Sequence, residues 1–401
     1  MTEQQVNELL RIAELTPVKK NSVLFVGRAA GRLIDNAKYA FLEACRQDYG
    51  FSPLFLTSYR DEYKALEQAG LPVTMFPQGI REVAAANIVV SDDFWWKTSQ
   101  VYPLVHSRQT LQLWHGIPLK AIGFAEIASK VNMQEENKAD YLSFVYSNYN
   151  TVLSTSPYVS EEIFSRVFKC DNFLNAGYPR NDVLLRKPDR LDMLNCDPEL
   201  FGRLRAHKRA GGKVAFYMPT FRDTGGDIFN DGAINPKRLD QLCKKHNLLL
   251  VLKFHPFIQL EINSRLDNFI VMPSHLDVYP LLGQADFLIT DYSSVYFDFL
   301  LLNRPIHFYV YDQEKYVSKD REFMLDFEKM TPGVKSRTQE EFFDNLEKLL
   351  LSAYPNLEKN LPASLCDGWE NERKALARKL FSQPDEYSAK RVCEFIASKV
   401  S

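Results

Sequence analysis

Two histidines stand at the ends of apolar runs in opposite halves of this 401-residue chain: His115, in Trp114-His115-Gly116-Ile117-Pro118-Leu119-Lys120, and His255, in Lys253-Phe254-His255-Pro256. A residue before proline is biased away from helix, which puts His255 at a strand terminus, and His115 leaves its strand into a Gly-x-Pro turn. Near physiological pH an imidazole can accept or donate a proton, so both are candidate catalysts, although either could be a satisfied polar group. A third stretch, Thr290-Asp291-Tyr292-Ser293-Ser294, follows the apolar run Phe287 to Ile289 and opens an amphipathic segment that Asn303 and Pro305 end. This is a strand, a tight turn and a helix whose first turn is Ser-Ser. Unpaired amides and the helix dipole would welcome an anion there, and the expectation is a phosphate or diphosphate on Ser293 and Ser294. The same residues also suit an ordinary N-capped core helix. A fourth stretch, Pro219-Thr220-Phe221-Arg222-Asp223, ends another strand and supplies a guanidinium suited to bidentate contact with phosphate.

The elements that must hold these residues come in two successive α/β patterns. The first contains strands at Ser22 to Val26, Pro53 to Thr57, Ile88 to Ser91, Thr110 to Gly116, Tyr149 to Ser156 and Asn172 to Gly177, with a helix from Asn36 to Arg46. A polar, charge-rich stretch, Arg186 to Gly212, follows. The second pattern has strands at Lys213 to Pro219, Leu248 to Pro256, Phe269 to Met272, Phe287 to Thr290 and Ile306 to Val310, and a helix from Pro236 to His246. Helical stretches from Glu340 to Leu351 and Glu370 to Val400 close the chain. Continuous apolar strands alternating with helices imply an α/β protein with parallel sheets covered on both faces. The expected organisation is a polar N-terminal segment over 1–20, a Rossmann-like domain over 21–200, a second over 201–375, and a terminal helix over 376–401 that could cross back to the first. Gly27-Arg28-Ala29-Ala30-Gly31 is not GxGxxG, so a dinucleotide-binding dehydrogenase is disfavoured.

Composition narrows the class. The formal net charge is −2 with no polybasic block, against nucleic acid as the main ligand. Six cysteines without metal-like spacing read as reduced thiols of a cytoplasmic protein. The segment Met1 to Lys20 has no apolar leader and no run reaches the ~20 apolar residues that span a bilayer, so contact with the inner membrane face would be peripheral. Asp92 and Asp93 are adjacent rather than spaced as a DxD pair, and no metal site or cofactor is expected.

Five motifs occur in one order: Gln112 to Lys120, Gly177-Tyr178-Pro179-Arg180-Asn181-Asp182, Tyr217 to Arg222, Lys253 to Pro256, and Ile289 to Ser294. With Ile34-Asp35-Asn36 and Arg321 to Glu328 added, the chain from about Ser22 to about Pro332 resembles the CDP-glycerol glycerophosphotransferase family, the teichoic-acid and capsule polymerases and primases. Ile117, Met218 and Phe221 depart from its usual Thr, Ala and Trp. The resemblance implies a GT-B-like fold: two Rossmann-like domains with sheets facing across a cleft, the donor mainly on the second. It implies transfer of glycerol phosphate or ribitol phosphate from CDP-glycerol or CDP-ribitol to a hydroxyl of a polymer or polyprenyl-linked acceptor, releasing CMP. His115 matches the family's general base and His255 the histidine at the donor phosphates. Arg222, Lys253, Thr290, Asp291, Ser293 and Ser294 would complete the phosphate site. Asp35, Asn36, Gly116, Lys120, Arg180 and Asn181 would serve acceptor binding or the domain junction. A GT-B glycosyltransferase or nucleotide-sugar epimerase fits the same architecture and would want a ribose carboxylate, for which Asp298 stands one turn past Ser294. A non-catalytic nucleotide-responsive module is the third reading.

Overall fold

Seven parallel strands form the first sheet: β1 (Ser22–Val26), β2 (Ser52–Thr57), β3 (Val73–Met75), β4 (Ile88–Ser91), β5 (Gln109–Gln112), β6 (Tyr149–Ser154) and β7 (Cys170–Asn175). A computed structural model describes residues 1–129, 131, 133, 135–226, 228–229, 231–254, 268–352 and 365–400, so His255 and Pro256 lie outside the described residues. The contacts divide the chain into a first unit of Met1–His115, Asn137–Cys196 and Leu380–Ser401, and a second of Gly116–Glu136 and Asp197–Lys379. Lys120 therefore belongs with the second unit, although the sequence boundary near 200 grouped it with the first.

In the first unit the strand order is β3-β2-β1-β4-β5-β6-β7. The registers Val23↔Ile88 and Val26↔Ser91 bring the carboxyl ends of β1 and β4 side by side. The winding reverses there, and in an open parallel sheet that is where ligands collect. Every residue of β1 is buried, as its unbroken Ser-Val-Leu-Phe-Val run requires of a strand covered on both faces. Helix Asp35–Arg46 packs on the sheet and against the C-terminal helix Ser388–Val400.

The second sheet has six parallel strands: β8 (Lys213–Tyr217), β9 (Leu248–Leu252), β10 (Phe269–Val271), β11 (Phe287–Thr290), β12 (Ile306–Tyr309) and β13 (Val334–Ser336), in the order β10-β9-β8-β11-β12-β13. Its winding reverses between β8 and β11, which pair with Ile289 beside Tyr217. The fold class is thus α/β with two doubly wound parallel sheets.

Several elements differ from the sequence expectation. The polar N-terminal segment contains a helix, Glu3–Leu15, started by a reciprocal capping box between Thr2 and Gln5 and burying Leu9. The charge-rich stretch holds helix Pro198–Arg209, capped by Asp197 with proline in its first turn. The strand expected from Thr110 to Gly116 ends at Gln112, because Trp114 takes a left-handed φ of 52° and Gly116 a φ of 140°. The expected terminal helix from Glu370 to Val400 is two helices, Glu370–Leu380 and Ser388–Val400.

Candidate functional site

Each unit carries a cluster of polar side chains at its sheet reversal. In the first unit three strand ends contribute: the loop after β1 (Arg28 to Asp35), Asp92-Asp93 after β4, and Trp114-His115 after β5. Ala29, Ala30, Asp35 and Trp114 all have positive φ, of 48°, 67°, 63° and 52°. A non-glycine residue in that region costs about 1–3 kcal/mol, and clustering of such residues marks a segment held for a purpose.

What holds it is a buried hydrogen-bond network. The Asp35 carboxylate accepts from Arg180 at 2.7 Å and from Arg28 at 2.9 Å. Burial alone would raise the Asp35 carboxyl, but Arg180 and Arg28 outweigh it and hold it down at about 2. Arg180 also donates to the His115 carbonyl at 2.9 Å, and the Asn36 side-chain nitrogen donates to the Trp114 carbonyl at 2.8 Å. The Asn36 side-chain oxygen in turn accepts from the Arg180 backbone at 3.2 Å. Asn36 and Arg180, the latter held by Asp35, thus grip the backbone on either side of the imidazole. Arg180 and Asn181 are buried, and the next residue, Asp182, accepts from the amides of Ser388 and Ala389 at the start of the C-terminal helix. These residues position elements of the first unit, which is a structural role for the Arg180-Asn181-Asp182 motif.

The imidazole itself is half-buried, and its Nδ1 lies 2.8 Å from the Asp92 carbonyl oxygen. A carbonyl only accepts, so Nδ1 carries the hydrogen and the lone pair is on Nε2. Burial, reinforced by Arg28 and Arg180 against the opposing Asp35, pulls His115 down to about 3, so it is neutral at physiological pH. A neutral imidazole with a fixed tautomer and its lone pair on Nε2 has the form of a general base. The Asp92 carboxyl accepts from the Ala37 amide at 2.8 Å, and burial pushes it well above the usual carboxylate range. Asp93 accepts from the Ala29 amide at 2.7 Å. Arg28, Asp92 and Asp93 were not among the expected site residues. Their signal was position, directly after β1 and β4, rather than spacing.

In the second unit the turn after β11 is organised by Asp291, which is fully buried and accepts from the Thr220 amide at 2.8 Å and the Ser293 amide at 3.2 Å. Arg222 donates to Asp291 and Asp312 at 2.7 Å each, to Asp312 again at 3.0 Å, and to the Thr220 carbonyl at 2.7 Å. Its guanidinium also lies 5.1 Å from the ring centres of both Tyr292 and Tyr316. The expected open fork is therefore committed: four of the five donors are used, and Arg222 is a brace between β8, β11 and the segment after β12. Lys253 likewise donates to the carbonyls of Pro273 and Leu276 at 2.6 Å and 2.8 Å. The Thr290 hydroxyl donates to the Met218 carbonyl at 2.7 Å inside the core.

Ser293 and Ser294 are half-buried, and neither hydroxyl has a hydrogen-bond partner among the described residues. The helix they precede, Val295–Phe299, is short, and Ser294 does not cap it with its side chain. Lys120 is joined to this unit by an antiparallel bridge to Phe323 and by the Ala121 amide on the Glu322 carbonyl at 2.8 Å. Asp298, the carboxylate a nucleotide-sugar site would have placed on ribose, is buried and accepts from the Tyr279 hydroxyl at 2.7 Å. Among the described residues no group of three or more His, Cys, Asp or Glu side chains is placed to hold a metal ion.

Comparison with known proteins places the chain in a family and a fold. A sequence model of the family described as CDP-Glycerol:Poly(glycerophosphate) glycerophosphotransferase matches residues 8–398. The chain is similar to the teichoic acid ribitol-phosphate polymerase TarK of Staphylococcus aureus, 27% identical over 395 residues, covering 93% of this chain and 71% of that protein. It is 27% identical over 403 residues to the teichoic acid ribitol-phosphate primase of Bacillus spizizenii, covering 96% and 93%. The teichoic acid glycerol-phosphate transferase of Staphylococcus aureus is 31% identical over 296 residues, covering 71% and 70%. In fold it matches the wall teichoic acid polymerase TagF with a TM-score of 0.75 at 22% identity, over 99% of this chain and 94% of that one. A Staphylococcus aureus MnaA–UDP structure matches more distantly, with a TM-score of 0.52 at 11% identity, over 92% of this chain and 94% of that one. The chain belongs to the CDP-glycerol:poly(glycerophosphate) glycerophosphotransferase family and is a GT-B-like transferase of that enzyme class.

Proposed function

We propose that this chain moves an alditol phosphate, glycerol phosphate or ribitol phosphate, from a CDP-alditol to an acceptor hydroxyl during teichoic-acid or capsule synthesis. The observation that carries the reading is the tautomer of His115, whose Nε2 lone pair stands at a ligand-collecting sheet edge in a family of phosphotransferases. The acceptor oxygen forms a bond to the β-phosphorus while the bond from that phosphorus to the CMP oxygen breaks. The acceptor proton passes to Nε2 of His115, and CMP leaves with the electron pair. The hydroxyls of Ser293 and Ser294 and the Ser294 amide receive the diphosphate, and the chain's own donors supply charge stabilisation without a metal. The relatives include both ribitol-phosphate and glycerol-phosphate proteins, so either alditol fits the family. The acceptor is a polymer or a polyprenyl-linked precursor, met by peripheral contact at the cytoplasmic face of the membrane. No helix among the described residues is long and apolar enough to cross one.

The test is donor choice. The protein is incubated with CDP-glycerol, CDP-ribitol and UDP-sugars in separate reactions with candidate acceptors, and nucleotide release is followed. CMP from a CDP-alditol is the expected product. Turnover confined to a UDP-sugar would replace this reading with a glycosyltransferase.

A further inference from the structure

The edge of the second unit around Ser293 and Ser294 is short of positive charge. Arg222 is shared between Asp291 and Asp312, and Arg321 between Glu126 and Asp223 at 2.6 Å and 2.8 Å. Two guanidiniums therefore face four carboxylates, and a diphosphate arriving here would meet net negative charge from those groups. Lys253 is already bound to backbone carbonyls. Lys120 differs from these cations. It is half-buried, and among the described residues its ammonium makes no hydrogen bond and no ion pair. Its backbone is pinned by the bridge to Phe323 and by the Met324 amide on the Leu119 carbonyl at 2.9 Å, which anchors the base of the side chain at this edge.

The charged groups around that amine are Asp291, Arg321, Arg222 and Asp223, from the turn after β11, the segment after β12 and the loop after β8. Burial pulls the ammonium down to about 8, with Asp291 opposing and Arg321 and Arg222 reinforcing. A partly desolvated ammonium with no carboxylate in direct ion-pair contact is costly, and an incoming anion offsets that cost. Lysine binds phosphate as a mobile point charge, which needs none of the geometry that Arg222 has already spent.

We propose that Lys120, and not Arg222, is the cation that engages the donor diphosphate at this edge, beside the hydroxyls of Ser293 and Ser294. The proposal rests on the CDP-alditol reading. It moves Lys120 from an acceptor or junction role to the donor site.

The experiment is calorimetry of CDP and of cytidine on the full chain, with K120Q and K120R beside the unaltered protein. K120Q should weaken CDP by about 10- to 100-fold, the scale of a lost charged contact, and change cytidine by less than about twofold. K120R should keep part of the CDP affinity. Between about pH 7.5 and 9.5 the nucleotide diphosphate is already fully ionised, so loss of the Lys120 proton should weaken CDP toward tenfold per pH unit, and K120Q and K120R should show no such slope. Tyr217, Tyr292 and Tyr316, in the same cluster, are held above that window by burial. A merely structural lysine would lower the urea midpoint of K120Q while leaving the ratio of CDP to cytidine affinity unchanged, and that result overturns the proposal. If the unaltered protein does not bind CDP at all, the donor reading itself fails. If it binds CDP with no pH slope, only the Lys120 assignment fails.

Discussion

The hydrogen on Nδ1 of His115 goes to the main-chain carbonyl of Asp92, and Asp92 is tied by its side chain to the Ala37 amide at the start of a helix. The imidazole is therefore oriented by backbone, with Asp35 and Arg180 fixing the neighbouring carbonyl rather than touching the ring. His115→Ala should lower kcat by about 10²–10⁴-fold while CDP affinity, measured by calorimetry, changes little. Loss of CDP binding along with activity would make His115 a donor ligand instead. Because burial holds His115 at about 3, the base form persists in mild acid. The acid limb of a kcat/KM profile should therefore fall well below the ordinary histidine value of about 6.5, and a limb at or above it contradicts the assignment. Arg222 tells the opposite story. Truncating it to Ala leaves Asp291 and Asp312 buried without their cation, at a cost of about 3–5 kcal/mol in stability. Affinity for cytidine and for CDP should drop together in any R222A protein that folds. A loss confined to CDP would restore the phosphate role that the free-fork expectation gave it.

Elements that bury continuous apolar runs were legible from the chain: β1, β4, β9 and β11 lie where Ser-Val-Leu-Phe-Val, Ile-Val-Val-Ser, Leu-Leu-Leu-Val-Leu and Phe-Leu-Ile-Thr stand. The edge strands β3 and β13 have three residues each and a polar residue in the middle, Val-Thr-Met and Val-Lys-Ser, so they show no apolar run, whereas the equally short β10, Phe-Ile-Val, does. Helix Glu3–Leu15 was hidden by its charged surface, although Thr2 and Gln5 spell a capping box. The turn at Trp114 was illegible because nothing in a tryptophan announces a left-handed φ; the surrounding hydrogen bonds impose it. The partners of Arg222 were equally hidden, since Asp312 is distant in sequence. Gly177 shows a local need that the motif did carry. Its φ is 83°, and an added Cβ would lie 2.5 Å from the Ser388 hydroxyl oxygen at the start of the C-terminal helix. Gly177→Ala should cost about 1–3 kcal/mol, read as a lower urea midpoint, and an unchanged midpoint would show that this helix start can shift freely.

At the scale of the whole molecule, each sheet is wound so that its order reverses at one carboxyl edge, β1/β4 in the first unit and β8/β11 in the second. The residues that could carry chemistry gather at those edges. The first offers a neutral imidazole with a free Nε2; the second offers a braced turn, two unpartnered hydroxyls and one uncommitted ammonium among the described residues. That division of labour suits phosphoryl transfer, which asks for positioning and charge more than for a covalent intermediate. The most direct measurement follows the β-phosphorus itself. A CDP-alditol labelled at that phosphorus is incubated with the protein and an acceptor, and nucleotide and acceptor are separated. Phosphoryl transfer predicts unlabelled CMP and label in the acceptor, one for one. Label retained on CDP, with only the alditol passed on, would contradict the account.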